Sequence, residues 1–331
     1  MTAPCAKVAA AAATAAVTAV AGLITRRREW IEAFGWALSG IGVASFAAFL
    51  VQSVLRDGGF AYDLHAYLRA GRNLLDGAPL YAPMEINDPG AYRYPPTFAL
   101  LTASVAPIPE PVVTWAYRLA CIGCVRYLVG SWRAVGWALL FVPLQIELVA
   151  LNVTLPIAAA ARMALVGPTS SLGAALIPVT AALKYGTALL FPYLWLTRRD
   201  LRLPMVLGSA ALALTFAVHA LLDPRPWRDY IASLGQQAGS VNDAPYVGDQ
   251  LLFLVPSTLG DFVLRFTIGV ILVTVAVRHR AGWLAFAAAT IAVPTLWVAR
   301  LAALVGVPRL FLGGRVSRAG SAADERGATR R

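Results

Sequence analysis

The chain has 331 residues, of which 59% are hydrophobic and 14% are charged, and its mean hydropathy is +0.66. A soluble domain is about one quarter charged, so these values exclude an ordinary soluble protein and predict an all-α, polytopic integral membrane protein. The formal net charge of +11 does not indicate nucleic-acid binding. The basic residues are spread over turns and tails and do not cluster on one soluble face.

The cysteines and histidines predict neither a metal site nor a disulfide framework. Cys121 and Cys124 lie three positions apart in an apolar run, without a second cysteine pair or a nearby histidine. Core packing is therefore the favoured interpretation of this pair. We expect no metal site and no cofactor.

Residues 1–33 are predicted to form an N-terminal tail or a weak leader-like segment. Residues 8–24 are apolar but rich in alanine, so a weak span, a signal-like leader and an unstructured tail remain alternatives. Three arginines at 26–28 precede residues 34–55, which are long enough to cross a bilayer. Because arginine accumulates at cytoplasmic ends, this span leads outward and residues 56–96 form an extracytoplasmic loop.

This first loop is predicted to contain an amphipathic helix on the extracytoplasmic membrane surface. Its apolar positions recur near helical spacing: Leu64, Tyr67, Leu68, Leu74 and Leu75. Asp63 lies at the start of the helix, where local chemistry favours a role as helix cap. Asp76 is expected to form a turn with Gly77.

After the first loop the apolar segments are short and are interrupted by proline. The predicted segments are residues 97–106, 111–130, 134–150, 153–166, 172–196, 204–222, 262–277, 283–298 and 301–312. Broken segments are tolerated in a membrane where they line a cavity, so we expect a wet crevice among them. With the first span they give about ten membrane segments in a domain covering residues 34–313.

Two further regions follow from the same topology. An arginine-rich turn at residues 198–202 is predicted to be cytoplasmic, so residues 223–250 form a second extracytoplasmic loop. Residues 314–331 are predicted to be a disordered basic cytoplasmic tail.

Lys184 lies well inside an apolar segment. A lysine in that position is costly unless it is paired or faces water, so a functional role is the default hypothesis. A structural ion pair and snorkelling of the side chain to the interface remain alternatives.

Residues 62–107 carry an ordered set of aspartate, tyrosine, glycine and proline positions. The set is Asp63, Tyr67, Ala70, Gly77, Leu80-Tyr81 and Tyr94-Pro95-Pro96. It resembles the first extracytoplasmic loop of glycosyltransferase family 87, the polyprenyl-phosphate-mannose-dependent mannosyltransferases of the GT-C class. Weaker matches further along the chain are Asn152, Lys184, Trp227, Tyr230 and Asp249-Gln250.

The resemblance implies a GT-C-like helical bundle in the cell membrane, with an active site on the extracytoplasmic side. It implies transfer of a sugar, mannose by resemblance, from a polyprenyl-phosphate donor to a glycolipid or polysaccharide acceptor. Asp63 would act as general base for a single inverting displacement, because a phosphate leaving group needs no general acid. Lys184, Arg93 and Arg300 would neutralise the phosphate.

The resemblance and the local chemistry together give a set of expected substrate-binding residues. They are Tyr62, Tyr67, Tyr81, Arg93, Tyr94, Asn152, Lys184, Asp249 and Arg300. For the tyrosines, anchoring at the membrane interface is an alternative role. Asp57, Glu85 and Asp88 are alternative acids that rank below Asp63.

Three other functions remain open. One is transfer of a different polyprenyl-linked sugar, and another is a secondary transporter or lipid-linked-glycan translocator in which Lys184 binds an anionic substrate. The third is a non-catalytic membrane subunit, because the chain departs from the family pattern. It has Ala150-Leu151 where relatives carry Gly-Gln before the asparagine, and Arg300 follows Trp297 where a histidine is expected.

Overall fold

The structure is a computed structural model, and it describes residues 3–55, 61–81, 91–240, 258–292 and 298–312. Within these ranges the chain is helical and contains no strand. The predicted all-α class is therefore confirmed.

Residues 307–312 are helical, and the described part of the chain also contains thirteen α-helices with defined bounds. They are α1 (Ala3–Leu55), α2 (Tyr62–Leu75), α3 (Pro96–Val105), α4 (Glu110–Val129), α5 (Trp132–Ala138), α6 (Val142–Ala150), α7 (Thr154–Leu165), α8 (Ser170–Leu183), α9 (Leu190–Thr197), α10 (Arg202–Leu222), α11 (Arg225–Ser240), α12 (Thr258–His279) and α13 (Gly282–Ile291). Three 3₁₀ helices cover Tyr185–Leu189, Arg199–Leu201 and Val298–Gly306.

Three helical stretches in the described residues are long and apolar enough to cross a membrane: Glu29–Leu55, Glu110–Val129 and Arg199–Leu222. The pair α5 and α6 also meets these criteria when taken together, although the two helices are bent by 97°. Large apolar side chains on these stretches are exposed, as is typical of helices in contact with lipid. Examples are Trp36, Leu119, Leu203 and Leu214. Four further apolar helices (α3, α7, α8 and α13) are shorter, so the count of about ten segments stays a prediction.

The first helix is longer than the sequence indicates. α1 continues without a break from Ala3 through the arginine triplet to Leu55, a total of 53 residues. At 1.5 Å per residue it is about 80 Å long, which exceeds the thickness of a bilayer. The predicted boundary at residue 33 therefore falls inside one continuous helix.

The amphipathic helix predicted in the first loop is present as α2. Its apolar face is buried against protein, in a cluster that includes Ala99 of α3 and Leu151 at the end of α6. Gly71 allows the close approach, since a Cβ atom there would lie 2.6 Å from backbone atoms of Thr102 and Ala103. The prediction of an amphipathic helix was thus correct. Its apolar face, however, packs on α3 and on the end of α6, whereas contact with lipid was predicted.

The segment predicted at residues 172–196 is interrupted at its lysine. α8 ends at Leu183, and Lys184 has an extended backbone with φ −142° and ψ 99°. A 3₁₀ turn and α9 then complete the segment. Polar backbone groups at such a break require shielding by neighbouring helices or an adjacent cavity.

α7 is the central helix of the bundle. Ten of its twelve residues are buried, and it packs against α4, α8, α13 and the 3₁₀ helix Val298–Gly306. A helix that is apolar on all sides is expected in such a position. Its two ends carry the polar groups described below.

α1 and α5 cross at small residues. A Cβ atom on Gly42 would clash with the backbone carbonyl of Gly136, and one on Gly136 would clash with Ser39. The indole Nε1 of Trp137 donates a hydrogen bond to the carbonyl of Gly35 at 2.6 Å. Small residues permit such close backbone packing between membrane helices.

Gly42→Ala is expected to lower the free energy of unfolding by about 1–3 kcal/mol, because the added methyl group overpacks this crossing. The measurement is the thermal unfolding midpoint of the purified protein in detergent. The matched control is Gly40→Ala on the same helix, where no atom lies within 4 Å of the added Cβ. Equal midpoints for the two variants would contradict the close packing.

Candidate functional site

The position of Asp63 is set by the contact between α2 and α6. Ala61 precedes α2 in a left-handed conformation with φ 53°, and its backbone N–H donates to the carbonyl of Val149 at 2.8 Å. Asp63 lies in the first turn of α2, and the cap position is occupied by Ala61 without a side-chain hydrogen bond. The sequence-based alternative of Asp63 as helix cap is therefore wrong.

Asn152 lies between α6 and α7, and its side chain takes part in four hydrogen bonds of a polar cluster. Its Nδ2 donates to Oδ2 of Asp63 at 2.8 Å. Its Oδ1 accepts hydrogen bonds from the hydroxyls of Tyr67 at 3.2 Å and Tyr94 at 3.3 Å, and from the N–H of Val153 at 2.6 Å. These contacts fix the amide so that its donor side faces the carboxylate.

The aromatic rings of this cluster pack edge to face. Tyr67 and Tyr94 have ring centroids 5.2 Å apart, and their hydroxyl oxygens are 3.1 Å apart. Tyr117 donates from its hydroxyl to the backbone carbonyl of Asn152 at 3.2 Å. The polar tips of the three rings therefore converge on the joint between α6 and α7.

Two cations act on Asp63. Lys184 Nζ lies 5.7 Å from the centroid of the Tyr94 ring, and both Lys184 and Arg93 are close enough to stabilise the carboxylate. Burial nevertheless dominates and raises the pKa of Asp63 to about 6, against the opposing effects of Lys184, the Asn152 hydrogen bond and Arg93.

Lys184 and Arg300 line one small cavity of about 20 Å³, which is roughly the room that one water molecule needs. Its walls come from α7, α13 and the two 3₁₀ helices that follow Lys184 and contain Arg300, with hydroxyl groups from Thr154, Thr187 and Thr290. Asp63 lies outside the wall of this cavity, and Lys184 connects the two. The charged lining of this small cavity is cationic, and a wider crevice among the broken segments stays a prediction.

The guanidinium of Arg300 also closes the end of α13. Nε donates to the carbonyl of Thr290 at 3.1 Å, and Nη2 to that of Ala289 at 3.5 Å. A cation is favourable at a helix C-terminus, where carbonyl groups lack partners. Across the described ranges, no carboxylate forms an ion pair with Arg300 or Lys184.

Glu147 belongs to the same charged cluster and was missed from the sequence. It is 1% exposed, and its Oε1 accepts a hydrogen bond from the N–H of Thr154 at 3.0 Å. Its Oε2 has no hydrogen-bond partner in the part of the chain described. Electrostatic interactions connect it with Lys184, Asp63 and Arg300. A lone carboxylate in an apolar run is the signal that could have identified it.

The remaining predicted residues surround this centre. Tyr81 donates from its hydroxyl to the carbonyl of Tyr94 at 2.6 Å, and its ring packs on Tyr230 of α11 at 5.6 Å. Tyr62 is the first residue of α2 and is partly exposed. The contact between Tyr81 and Tyr230 therefore connects the first predicted loop with the second. Asp249 and the alternative acids Asp57, Glu85 and Asp88 lie outside the described residues.

Comparison with known proteins finds no matching family model, no matching curated protein and no matching solved structure. The structure brings together seven of the predicted residues. They are Asp63, Tyr67, Tyr81, Arg93, Tyr94, Asn152 and Lys184.

Asn152→Ala is expected to raise the pKa of Asp63 above about 6, because the variant removes a hydrogen bond that stabilises the carboxylate. The measurement is the infrared titration of the carboxyl C=O stretch, as the difference between each protein and its Asp63→Asn counterpart. Asn73→Ala is the control, since the side chain of Asn73 donates to the nearby carbonyl of Pro79 at the exposed end of α2. An unchanged titration in Asn152→Ala would show that the amide does not stabilise the carboxylate.

Proposed function

We propose that this chain is an integral-membrane glycosyltransferase that uses a polyprenyl-phosphate-linked sugar, mannose by resemblance, and inverts the anomeric centre. The observation that carries the proposal is the proximity of a partly buried, hydrogen-bonded Asp63 to Lys184, which shares a cavity with Arg300. One carboxylate beside two cations is the set of groups that this reaction needs. The sequence resemblance to glycosyltransferase family 87 supports the same assignment.

In the proposed step, an acceptor hydroxyl oxygen attacks the anomeric carbon of the donor. The bond from that carbon to the phosphate oxygen breaks, and the hydroxyl proton passes to Asp63. The lipid phosphate leaves as a monoester, whose charge Lys184 and Arg300 stabilise. A pKa of about 6 makes Asp63 a stronger base than an ordinary aspartate while leaving it ionised at neutral pH.

The proposal extends to topology. About ten membrane segments would form a GT-C-like bundle in the cell membrane, with α2 and Asp63 on the extracytoplasmic side and a glycolipid or polysaccharide as acceptor. Arginines at the opposite ends of the helices support this orientation, because basic residues favour the cytoplasmic side. Examples are Arg198, Arg278 and Arg280.

A secondary transporter is the second candidate. The helix break at Lys184 and the cationic cavity beside it are the observations that favour it. Transporters commonly bind anionic substrates at discontinuous helices near the bilayer centre. In that case Asp63 would be dispensable, whereas the transferase requires it.

Asp63→Asn is expected to reduce sugar transfer by about 10²–10⁴-fold, because general-base catalysis typically contributes that factor. The measurement is the transfer of radiolabelled sugar from a polyprenyl-phosphate donor to a membrane glycolipid, catalysed by the purified protein in liposomes. Asp76→Asn is the matched control, since Asp76 lies exposed in the turn after α2. Full transfer by a folded Asp63→Asn protein would exclude Asp63 as the base.

The pH dependence of transfer provides a separate prediction. The base acts when it is ionised, so kcat/KM should fall tenfold for each pH unit below the pKa of Asp63, with a midpoint at about 6. Above the midpoint the rate should reach a plateau set by this group. An acidic limb centred near 4, the value for an ordinary aspartate, would contradict the effect of burial.

A further inference from the structure

A second cluster of cations lies at the other end of the bundle from Asp63. Arg162 is in the last turn of α7, about 12 Å along the helix axis from Thr154 at the candidate site. Tyr127 is in the last turn of α4, about 25 Å from Glu110, which pairs with Arg72 of α2. The cluster is therefore separate from the proposed catalytic site and does not depend on it.

Arg162 and Arg309 both contact Tyr127. The Cζ atom of Arg162 lies 4.3 Å from the centroid of the Tyr127 ring, and Nη1 of Arg309 donates to the backbone carbonyl of Tyr127 at 2.7 Å. Gly130, with φ 93°, ends α4. A Cβ atom at this glycine would lie 2.7 Å from the Arg309 guanidinium, so glycine leaves the room that this arginine occupies.

No carboxylate in the described part of the chain balances the charges of this pair. The two guanidinium groups are close enough to repel each other. Neither has a carboxylate ion-pair partner within the described ranges. Arg162 is 8% exposed, and its Nε has no hydrogen-bond partner among the described residues. The Tyr127 ring offsets part of the cost of burying the Arg162 cation, and an anion beside the two guanidinium groups would offset more of it.

We propose that Arg162 and Arg309 bind a phosphate group at this end of the bundle. Planar guanidinium groups match the geometry of phosphate oxygens and bind them in a bidentate manner. Arg309 is exposed and gives the ligand access, while Arg162 is buried beneath it. The phosphate comes from an anionic lipid headgroup or from solution, and basic pockets between membrane helices are known to hold such headgroups.

The test uses the purified full-length chain in neutral detergent and measures binding by native mass spectrometry and by the thermal unfolding midpoint. The three added probes are phosphatidylglycerol, phosphatidylcholine and inorganic phosphate, at matched ionic strength. Phosphatidylglycerol is expected to bind and to raise the midpoint. Arg309→Gln and Arg162→Gln should each weaken this binding by at least about tenfold, because each loses a charged hydrogen-bond donor.

Arg202→Gln is the matched control. Arg202 also stacks on an aromatic ring, that of Trp195 at 5.2 Å, and donates to a backbone carbonyl at 2.9 Å. The Arg202→Gln variant should bind phosphatidylglycerol as tightly as the unmodified chain does. Arg309→Gln keeps the test decisive if Arg162→Gln fails to fold, since Arg309 is exposed.

The outcomes separate the sources of the phosphate. Binding of phosphatidylglycerol alone, with loss in both variants, assigns a lipid headgroup. If inorganic phosphate raises the unfolding midpoint as much as phosphatidylglycerol does, and both arginine variants lose this increase, the site binds a soluble anion. Equal binding of phosphatidylglycerol by Arg309→Gln and Arg202→Gln, or binding of phosphatidylcholine as tight as that of phosphatidylglycerol, would overturn the proposal.

Discussion

The hydrogen bond between Asn152 and Asp63 is the polar contact on which the candidate site depends. It connects α2 with the joint between α6 and α7, and these residues are 89 positions apart in the chain. The Asn152 carbonyl oxygen is held at the same time by two tyrosine hydroxyls and a backbone N–H. Because the amide oxygen has three hydrogen-bond donors around it, the amide keeps one orientation and presents an N–H to the carboxylate.

Four charged side chains that are buried or partly buried lie near this contact. Two carboxylates, Asp63 and Glu147, face two cations, Lys184 and Arg300, across the ends of several helices. None of these carboxylate–cation combinations forms a close ion pair within the described residues, so the interactions act over a distance in a medium of low polarity. A ligand that enters the cavity meets cations that are not neutralised by contact with a carboxylate.

Local patterns in the sequence predicted much of the helical framework and part of the site. Apolar periodicity located α2, and proline and arginine positions located most of the breaks from α3 to α10. The segments predicted at residues 134–150 and 172–196 were wrong in being continuous, because the chain bends by 97° between α5 and α6 and α8 ends before Lys184. The partners of α2 were not predictable in this way, because a buried apolar face looks the same whether it packs on lipid or on protein. Glu147 was missed for a related reason: its role depends on Thr154 and Lys184, which only the tertiary fold brings near.

The position of Arg300 couples the cavity to the end of α13. Its guanidinium already satisfies carbonyl groups of Thr290 and Ala289, the last-turn acceptors of that helix. An anion in the cavity competes with those carbonyls for the same N–H groups. Filling of the cavity and fraying of the α13 terminus are therefore thermodynamically linked, and each changes the free energy of the other by the same amount.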